Sequence, residues 1–301
     1  MKILVSGSHG LLGGHLLPSL KAEGHEVIRL IRRDFSERSR NVGWSPESGR
    51  IEKERLRDLH AVVHLAGENI AGGRWTAARK DGILQSRIKG TKLLAETLAG
   101  MHVPPKVMIC ASGIGYYGSR GEELLDEDSA RGTGFLSDVC EAWEAAAEPA
   151  RRAGIRVVHL RLGVVLSTLG GALRKMLPPF QMCVGGRLGS GRQWMSWIAV
   201  QDVTRAILHL LTAPVAGPLN LTAPNPVTNA EFTRALASAL RRPAILPVPA
   251  FALNTLLGRE MAAELLLSST RAVPKRLLES GYTFRFTEVD KALRTLIHYH
   301  L

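Results

Sequence analysis

Short apolar runs alternate with amphipathic stretches along the first half of the chain. The apolar runs lie at residues 3–5, 27–31, 58–67, 106–111 and 155–160. The helical patterns between them cover residues 11–22, 77–98 and 135–153. Continuous apolar runs are typical of parallel strands that are buried on both faces. The alternation therefore predicts an α/β domain with a parallel sheet and helices on both sides of it.

The regular alternation stops after residue 165. A helix that begins at Gly170-Gly171 is predicted to end before Pro178-Pro179, because proline has no N–H group to donate. Residues 185–198 combine glycine and serine with two tryptophans, a composition typical of a flexible cleft wall. Asp202 is predicted to cap the helix that follows this wall.

Three glycines with a spacing of three residues follow the first predicted strand. Gly7, Gly10 and Gly13 stand between that strand and the first helix, and a second strand follows. This arrangement is typical of a dinucleotide-binding βαβ unit, in which the glycines allow a tight turn and backbone approach to a pyrophosphate. The N–H groups at the start of the helix favour the phosphates. The predicted phosphate-binding turn comprises Gly7, Ser8, His9, Gly10, Leu11, Leu12 and Gly13. A plain glycine-rich turn is the alternative.

Two arginines end the second strand, at a place where NAD-binding proteins carry an acidic residue. Arg32 and Arg33 occupy this place, roughly 20 residues after the glycines. A guanidinium group can pair with a 2′-phosphate and stack on adenine, so the sequence favours NADP over NAD. The alternative is a solvated basic strand end, and Asp34 follows directly.

The second half is predicted to complete the first domain and to add a small lobe. Residues 218–221 are a further strand-like run, and Thr228 with Glu231 has the spacing of a capping box. Short helical patterns follow a group of prolines after residue 241. The predicted division is a nucleotide-binding domain at residues 1–165, with its sheet completed by residues 194–221, and cleft-wall segments with a mostly helical C-terminal lobe at residues 166–301.

Composition narrows the class of protein. The chain has 301 residues, 45% of them hydrophobic, which is enough for a sizeable core. The formal charge is +12, but the arginines are dispersed and no RNA-stacking motif occurs, so nucleic acid is not the predicted partner. No apolar run could span a bilayer, and the chain enters a core strand directly, without room for a leader. Cys110, Cys140 and Cys183 lack metal-ligand spacing, which indicates reduced thiols of a cytoplasmic protein without a metal site. The sequence leaves open whether the protein is a homodimer.

Several motifs together resemble one family. They are Gly7-x-x-Gly10-x-x-Gly13, His64-Leu65-Ala66-Gly67-Glu68-Asn69-Ile70, Arg74-Trp75, Ser86-Arg87, Ser112-Gly113-Ile114-Gly115-Tyr116-Tyr117-Gly118, Trp143-Glu144, Arg161-Leu162-Gly163, Gly189-Ser190-Gly191-Arg192-Gln193-Trp194 and Pro274-Lys275-Arg276-Leu277. Along nearly its whole length the chain is similar to the extended short-chain dehydrogenases/reductases. Within them it resembles a divergent, sugar-nucleotide epimerase-like group with an extra C-terminal domain of unknown function, here residues 241–301. The resemblance implies a Rossmann-type doubly wound sheet that binds NADP, and a small-molecule or nucleotide-linked substrate.

The resemblance also implies which residues bind the cofactor. In extended members these are the turn glycines, the residue after the second strand, the end of the third strand and a residue on the next helix. The corresponding residues are Gly7, Gly10 and Gly13 with their neighbours, Arg32, Arg33, Leu65, Ala66, Gly67, Arg87 and Ser112. A lone helix arginine is more often a surface residue, and this alternative stays open for Arg87.

The usual catalytic residues of that family are missing. An extended reductase uses Ser or Thr after the fourth strand and Tyr-x-x-x-Lys on the next helix, where the Lys lowers the pKa of the proton-transferring Tyr. The matching positions are Gly113, Leu136 and Cys140, and no Tyr-x-x-x-Lys occurs anywhere in the sequence. Standard hydride-transfer catalysis therefore does not carry over to this chain.

Other side chains are candidates for the missing roles. The predicted catalytic candidates are Ser112, Tyr116 and Tyr117, with packing of both tyrosine rings as the alternative. The predicted substrate cleft comprises Glu68, Gln193, Trp194 and Trp197, and for the two tryptophans simple packing is equally compatible. His64 lies within a strand and is predicted to be a core histidine.

Two functions stay open from the sequence. The first is an NADP-dependent oxidoreductase or epimerase with a non-standard active site. The second is a non-catalytic NADPH-binding sensor or scaffold. The missing Tyr and Lys favour the second, whereas the polar, tryptophan-bearing cleft wall favours the first.

Overall fold

The structure, a computed structural model, describes residues 1–32 and 41–298. The strands are β1 Lys2–Ser6, β2 Glu26–Arg32, β3 Val42–Ser45, β4 Arg50–Ile51, β5 Ala61–His64, β6 Val107–Gly113, β7 Leu124–Leu125, β8 Arg156–Leu162, β9 Val164–Leu166, β10 Trp194–Met195, β11 Trp197–Ala199, β12 Gly217–Leu221, β13 Val227–Thr228 and β14 Arg271–Ala272. The helices are α1 Leu11–Ala22, α2 Ala77–Ala99, α3 Phe135–Ala145, α4 Glu148–Arg152, α5 Gly171–Gln181, α6 Val200–Leu210, α7 Asn229–Leu240, α8 Ala250–Leu257, α9 Arg259–Leu265, α10 Lys275–Glu279 and α11 Val289–His298.

In the described part of the chain, eight strands form one central sheet in the order β12-β8-β6-β5-β1-β2-β3-β4. Neighbouring strands are parallel, except that β4 is antiparallel to β3. The chain runs outwards from β1 through β2 and β3, then returns to β5 on the other side of β1. Ligands of open parallel sheets bind where the strand order reverses, at the carboxyl ends of the strands. We call this place, at the ends of β1 and β5, the crevice.

Helices cover both faces of the sheet, as the alternating pattern predicts. On one face, Leu16 and Leu20 of α1 and Ile207 of α6 are fully buried in a cluster with the strands. On the other face, Leu94 and Leu98 of α2 are buried in a second cluster. The fold is therefore the predicted Rossmann-type, doubly wound parallel sheet.

Two predicted boundaries in the first half differ from the structure. The helix predicted at residues 135–153 is divided into α3 and α4, because Pro149 near the start of α4 has no N–H group for the preceding turn. The fourth strand, whose apolar run covers residues 106–111, extends further than this run. Ser112 and Gly113 still belong to β6, where they pair with Arg161 and Leu162 of β8.

The helix at residues 171–181 contains the two prolines that were predicted to end it. Pro178 and Pro179 lie within the last turn of α5. Leu173 and Phe180 on the same helix are buried in a third core cluster. Burial of this face stabilises the helix past the point where its backbone hydrogen bonds are lost.

The prediction that Asp202 caps a helix is wrong. Ala199 is the N-cap of α6, and Asp202 lies within the first turn. Its carboxylate accepts hydrogen bonds from the backbone N–H groups of Arg285 at 2.8 Å and Phe286 at 3.0 Å, and from the hydroxyl of Tyr282. The buried carboxylate therefore fastens the C-terminal lobe to the sheet domain.

The region between the sheet and the lobe is built from short strands. Gly217–Leu221 joins the central sheet beside β8, whereas Trp194–Met195 pairs with β13 and Trp197–Ala199 pairs with β9. The predicted capping box is confirmed, because Thr228 and Glu231 exchange both hydrogen bonds at the start of α7. Helices α8 to α11 form the predicted lobe. Among the described residues, no helix is long and apolar enough to cross a membrane.

Candidate cofactor site and active site

The glycine turn has no space for side chains at its first and last glycines. Gly7 has a φ of +68°, and a Cβ there would lie 2.7 Å from the carbonyl carbon of Leu65. A Cβ on Gly13 would lie 2.4 Å from the carbonyl oxygen of Gly7. Gly10 is the N-cap of α1. By position, the N–H groups of Leu11 and Gly13 have no acceptor within the helix and can bind an anion.

A chain of buried polar groups supports the floor of the crevice. The hydroxyl oxygen of Ser6 accepts the N–H groups of Leu65 at 3.1 Å and Ala66 at 3.3 Å, and is 2.7 Å from Nδ1 of His64. Nε2 of His64 is 3.0 Å from the hydroxyl of Thr91 on α2. Burial lowers the pKa of His64 to about 4. The ring is neutral near pH 7, as expected for a core histidine that fixes the backbone beside the glycines.

The predicted 2′-phosphate residues lie at the carboxyl end of β2. Arg32 is the last residue of this strand, and its side chain is exposed. Arg33 lies outside the described residues, as does Asp34. The structure therefore places one of the two arginines at the strand end that the sequence indicates. The phosphate role of both stays a prediction.

Arg87 is a buried cation beside the end of β5. Its side chain stacks over the ring of Trp143 at 4.8 Å, and it donates a hydrogen bond to the carbonyl oxygen of Ile83. A Cβ on Gly67 would lie 3.3 Å from the guanidinium carbon of Arg87. Burial lowers the pKa of Arg87. None of the described carboxylates forms an ion pair with it, and Glu68 is paired with Arg79. The surface alternative for Arg87 is therefore not what the structure shows.

The three positions that replace the usual catalytic residues lie close together. A Cβ on Gly113 would lie 3.7 Å from the Sγ atom of Cys140. Leu136 packs against Gly115, where a Cβ would approach it to 2.9 Å. Burial raises the pKa of the Cys140 thiol to about 11, so the thiol stays neutral. None of these three positions carries a tyrosine hydroxyl or a lysine.

The neighbouring polar side chains form one buried network. Glu144 and Arg161 make a bidentate ion pair with both N–O distances at 2.9 Å, and their side chains are only 13% and 3% exposed. The hydroxyl of Ser112 donates to Glu144 at 2.8 Å. Arg161 also donates to the hydroxyl of Tyr117 at 3.0 Å, and Tyr117 donates to Asn220 at 2.8 Å. Ser112 and Tyr117, two of the three catalytic candidates, are therefore engaged within the protein.

The two tyrosines differ in their surroundings. Tyr117 is fully buried, and burial raises its pKa to about 12 although the Arg161 charge opposes the shift. This favours the packing alternative for Tyr117. Tyr116 is half-buried, and its ring centre lies 3.5 Å from the guanidinium carbon of Arg161. None of the described residues hydrogen-bonds the hydroxyl of Tyr116.

The cleft candidates do not all face a cleft. The side-chain amide of Gln193 donates to the carbonyl groups of Leu188 and Leu266, so Gln193 ties the loop to the lobe. Trp194 is half-buried with the guanidinium of Arg271 stacked over it at 4.1 Å. Trp197 is fully buried in the core, which favours its packing alternative.

Glu264 contacts the site, and no sequence motif indicates this role. Its carboxylate, from α9 in the lobe, accepts the N–H groups of Phe135 at 2.9 Å and Leu136 at 2.8 Å. These are the first residues of α3, the helix that carries Cys140 and Glu144. The roles of Arg161 and Glu144 were also missed, although an arginine at the end of an apolar strand is itself a signal of a buried partner. Within the described residues, no group of acidic, histidine or cysteine side chains could hold a metal ion.

Nearly the whole chain is similar to known proteins of one family. Residues 3–222 match the model of the NAD dependent epimerase/dehydratase family, and residues 248–296 match the Domain of unknown function (DUF1731). Epimerase family protein MT2273 of Mycobacterium tuberculosis is 44% identical over 292 residues, covering 97% of this chain and 96% of that protein. Epimerase family protein SDR39U1 of Bos taurus is 40% identical and covers 99% and 100%.

Solved structures agree with this result. The human epimerase family protein SDR39U1, crystallised with NADPH, is 36% identical, has a TM-score of 0.91, and covers 99% of both chains. A UDP-glucose 4-epimerase from Thermus thermophilus, in complex with NAD, has a TM-score of 0.75 at 18% identity. At this identity the similarity shows a shared fold only. The chain therefore belongs to the NAD dependent epimerase/dehydratase family, among extended short-chain dehydrogenases/reductases that carry the additional C-terminal domain.

Proposed function

We propose that this protein binds NADP(H) in the crevice and is an oxidoreductase or epimerase whose proton donor is Tyr116. The carrying observation is that Tyr116 presents a half-buried hydroxyl without a partner among the described residues, whereas Ser112 and Tyr117 are engaged in the buried network. The substrate is a small or nucleotide-linked molecule held between the sheet and the C-terminal lobe. Three free cysteines support a reducing, cytoplasmic location.

The crevice has the space and the charge that a dinucleotide phosphate requires. Gly7 and Gly13 leave only backbone at the turn, which allows the close approach that a pyrophosphate needs. Arg87 supplies a buried positive charge at the end of β5, where it could hold a ribose or phosphate group. The human relative with 36% identity was crystallised with NADPH. When bound, the nicotinamide supplies or accepts a hydride.

Within the chain, each polar residue of the network has its own task. Glu144 holds the guanidinium of Arg161 in one orientation through two hydrogen bonds. Arg161 stacks against the ring of Tyr116, and this contact fixes the position of the ring that carries the donor hydroxyl. Tyr116 thus performs the proton transfer that the Tyr-x-x-x-Lys pair performs elsewhere in the family.

The alternative is a non-catalytic NADPH-binding sensor or scaffold. It is favoured by the neutral side chains at the usual catalytic positions, since Leu136 and the Cys140 thiol cannot transfer a proton near pH 7. Both functions share the cofactor, so NADPH binding does not distinguish them.

One experiment separates the two. The protein is mixed with NADPH and a panel of carbonyl substrates, and the absorbance of the reduced nicotinamide is followed for the native chain and for Tyr116→Phe. The enzyme proposal expects turnover that falls about 100-fold or more in Tyr116→Phe, with unchanged NADPH affinity. Tight NADPH binding without turnover on the panel, and no effect of Tyr116→Phe, would support the sensor instead.

A further inference from the structure

A hollow lined by arginines lies at the C-terminal end of α7, outside the crevice. Its volume is about 450 Å³, and its polar lining consists of Arg234, Ser238, Arg241 and Arg242. The remaining lining residues are alanines and a proline. None of these residues takes part in the cofactor site or in the buried network. The hollow is therefore a separate feature of the surface.

The hollow has a strong excess of positive charge. No carboxylate in residues 1–32 and 41–298 forms an ion pair with Arg234, Arg241 or Arg242. Glu231, one turn before Arg234, is held by Thr228 in the capping box. A fourth cation borders the hollow, because Arg294 of α11 donates to the hydroxyl of Ser238 at 3.5 Å. The charge of Arg234 also acts on Glu231, where it helps to lower the pKa of that carboxyl group. The remaining cations around this surface have no carboxylate in an ion pair and concentrate anions there.

The conformation of Arg241 shows that its side chain is not needed for the helix end. Arg241 has a φ of 53° and a ψ of 44°, the left-handed conformation in which glycine is favoured. The helix end is closed by backbone bonds, from the N–H of Arg241 to Ser238 and from the N–H of Arg242 to Ala237. Glycine would make the same backbone bonds with less strain, so closing the helix end does not require the Arg241 guanidinium.

We propose that this hollow binds a phosphate-bearing anion, a function beyond the proposed cofactor chemistry. Planar guanidinium groups match phosphate oxygens with paired hydrogen bonds, and three exposed arginines line this one hollow. Its lining contains no aromatic ring on which a base could stack. The ligand is therefore recognised through its phosphate groups and not through a nucleobase, as for pyrophosphate or a phosphorylated small molecule.

The arginines could also be present only because positive charge stabilises the C-terminal end of α7, where the helix dipole is negative. Arg241→Gly separates the two explanations, because it removes the guanidinium while it relieves the left-handed strain. We expect Arg241→Gly to be at least as stable as the native protein in thermal unfolding. A dipole role alone would make it less stable and leave anion binding unchanged.

The test is calorimetry with inorganic pyrophosphate and, in a second arm, glucose 6-phosphate, on protein saturated with NADPH so that the glycine turn does not contribute. We expect saturable binding that weakens about tenfold in Arg241→Gly and is lost in Arg234→Ala/Arg242→Ala. The two arms distinguish a bare polyphosphate from a phosphate ester. Lys53→Ala, which removes one exposed charge elsewhere, is the matched control and should bind as the native protein does. No saturable heat with either ligand, or equal affinity in Arg241→Gly, would overturn the proposal.

Discussion

Removal of the Glu144 carboxylate is expected to destabilise the protein more than loss of any surface ion pair. In Glu144→Leu, the guanidinium of Arg161, only 3% exposed, stays buried without its carboxylate. Breaking one side of such a pair typically costs about 3–5 kcal/mol, because the remaining charge has lost water and gained no partner. The hydroxyl of Ser112 loses its acceptor at the same time, which adds about 1 kcal/mol. We therefore expect Glu144→Leu to lose about 4–6 kcal/mol of unfolding free energy.

The measurement is urea-induced unfolding in a double-mutant cycle. Arg161→Met alone leaves the Glu144 carboxylate buried and should be similarly destabilised. Glu144→Leu/Arg161→Met removes both charges and should be more stable than either single variant, with a coupling energy of about 2 kcal/mol or more. Glu96→Leu is the control: its carboxylate has a single exposed ion pair with Lys92, and only a small change is expected. A loss below about 1 kcal/mol in Glu144→Leu, or additive single effects, would refute the assignment of a buried, mutually dependent pair.

Four further outcomes are expected from the same geometry. Arg32→Asp should raise the dissociation constant for NADPH about tenfold and move cofactor preference towards NADH, measured by fluorescence titration. Gly13→Ala should cost about 1–3 kcal/mol of stability and weaken NADPH binding, because its Cβ would meet the turn backbone at 2.4 Å. Glu264→Ala should cost about 1 kcal/mol and speed hydrogen exchange at the first amides of α3, since two helix N–H groups lose their acceptor. The pKa of His64 is about 4 in the folded protein against 6.5 ordinarily, so the unfolded chain binds more protons between these values. Stability should be full above pH 6.5 and fall as the pH drops towards 4, and His64→Gln should flatten this dependence in pH-resolved unfolding.

Each of these expectations has a result that contradicts it. Unchanged NADPH affinity in Arg32→Asp would remove the 2′-phosphate role. Full NADPH affinity in Gly13→Ala would show that the turn tolerates a side chain. Glu260→Ala is the control for Glu264→Ala, because it breaks only the exposed ion pair with Lys80. Equal hydrogen-exchange rates at the first amides of α3 in the two variants would show that Glu264 does not protect them. If the unfolding free energy of His64→Gln depends on pH as it does in the native protein, groups other than His64 cause the loss of stability in acid.

The periodic part of the fold was predictable because local pattern and tertiary packing agree there. The strand ending at Ser6 follows the continuous apolar run at residues 3–5, and the capping box at Thr228 depends on residues three apart. The errors lie where a distant contact outweighs local preference. Asp202 has the local chemistry of a cap, but its carboxylate binds the backbone of residues 285 and 286. No local pattern contains that information.

The candidate site divides in the same way. The glycine turn is a local motif, and its backbone clearances follow directly from the spacing. The network around Arg161 joins three strands and a helix, so its members are far apart in sequence and carry no common motif. Ser112 and Tyr117 were candidates because of their residue type. Only the structure shows that Glu144 and Asn220 already bind their hydroxyl groups.

The contact of Glu264 with α3 has a consequence for how the chain is synthesised. The acceptor and the amide of Phe135 are 129 residues apart, and Glu264 lies beyond the family boundary at residue 222. A nascent chain that has left the ribosome only as far as β12 has its whole parallel sheet but an open start to α3. The helix that carries Cys140 and Glu144 is completed only after the last lobe has emerged. The start of α3 therefore gains its acceptor only after residue 264 has been synthesised, beyond the family boundary at residue 222.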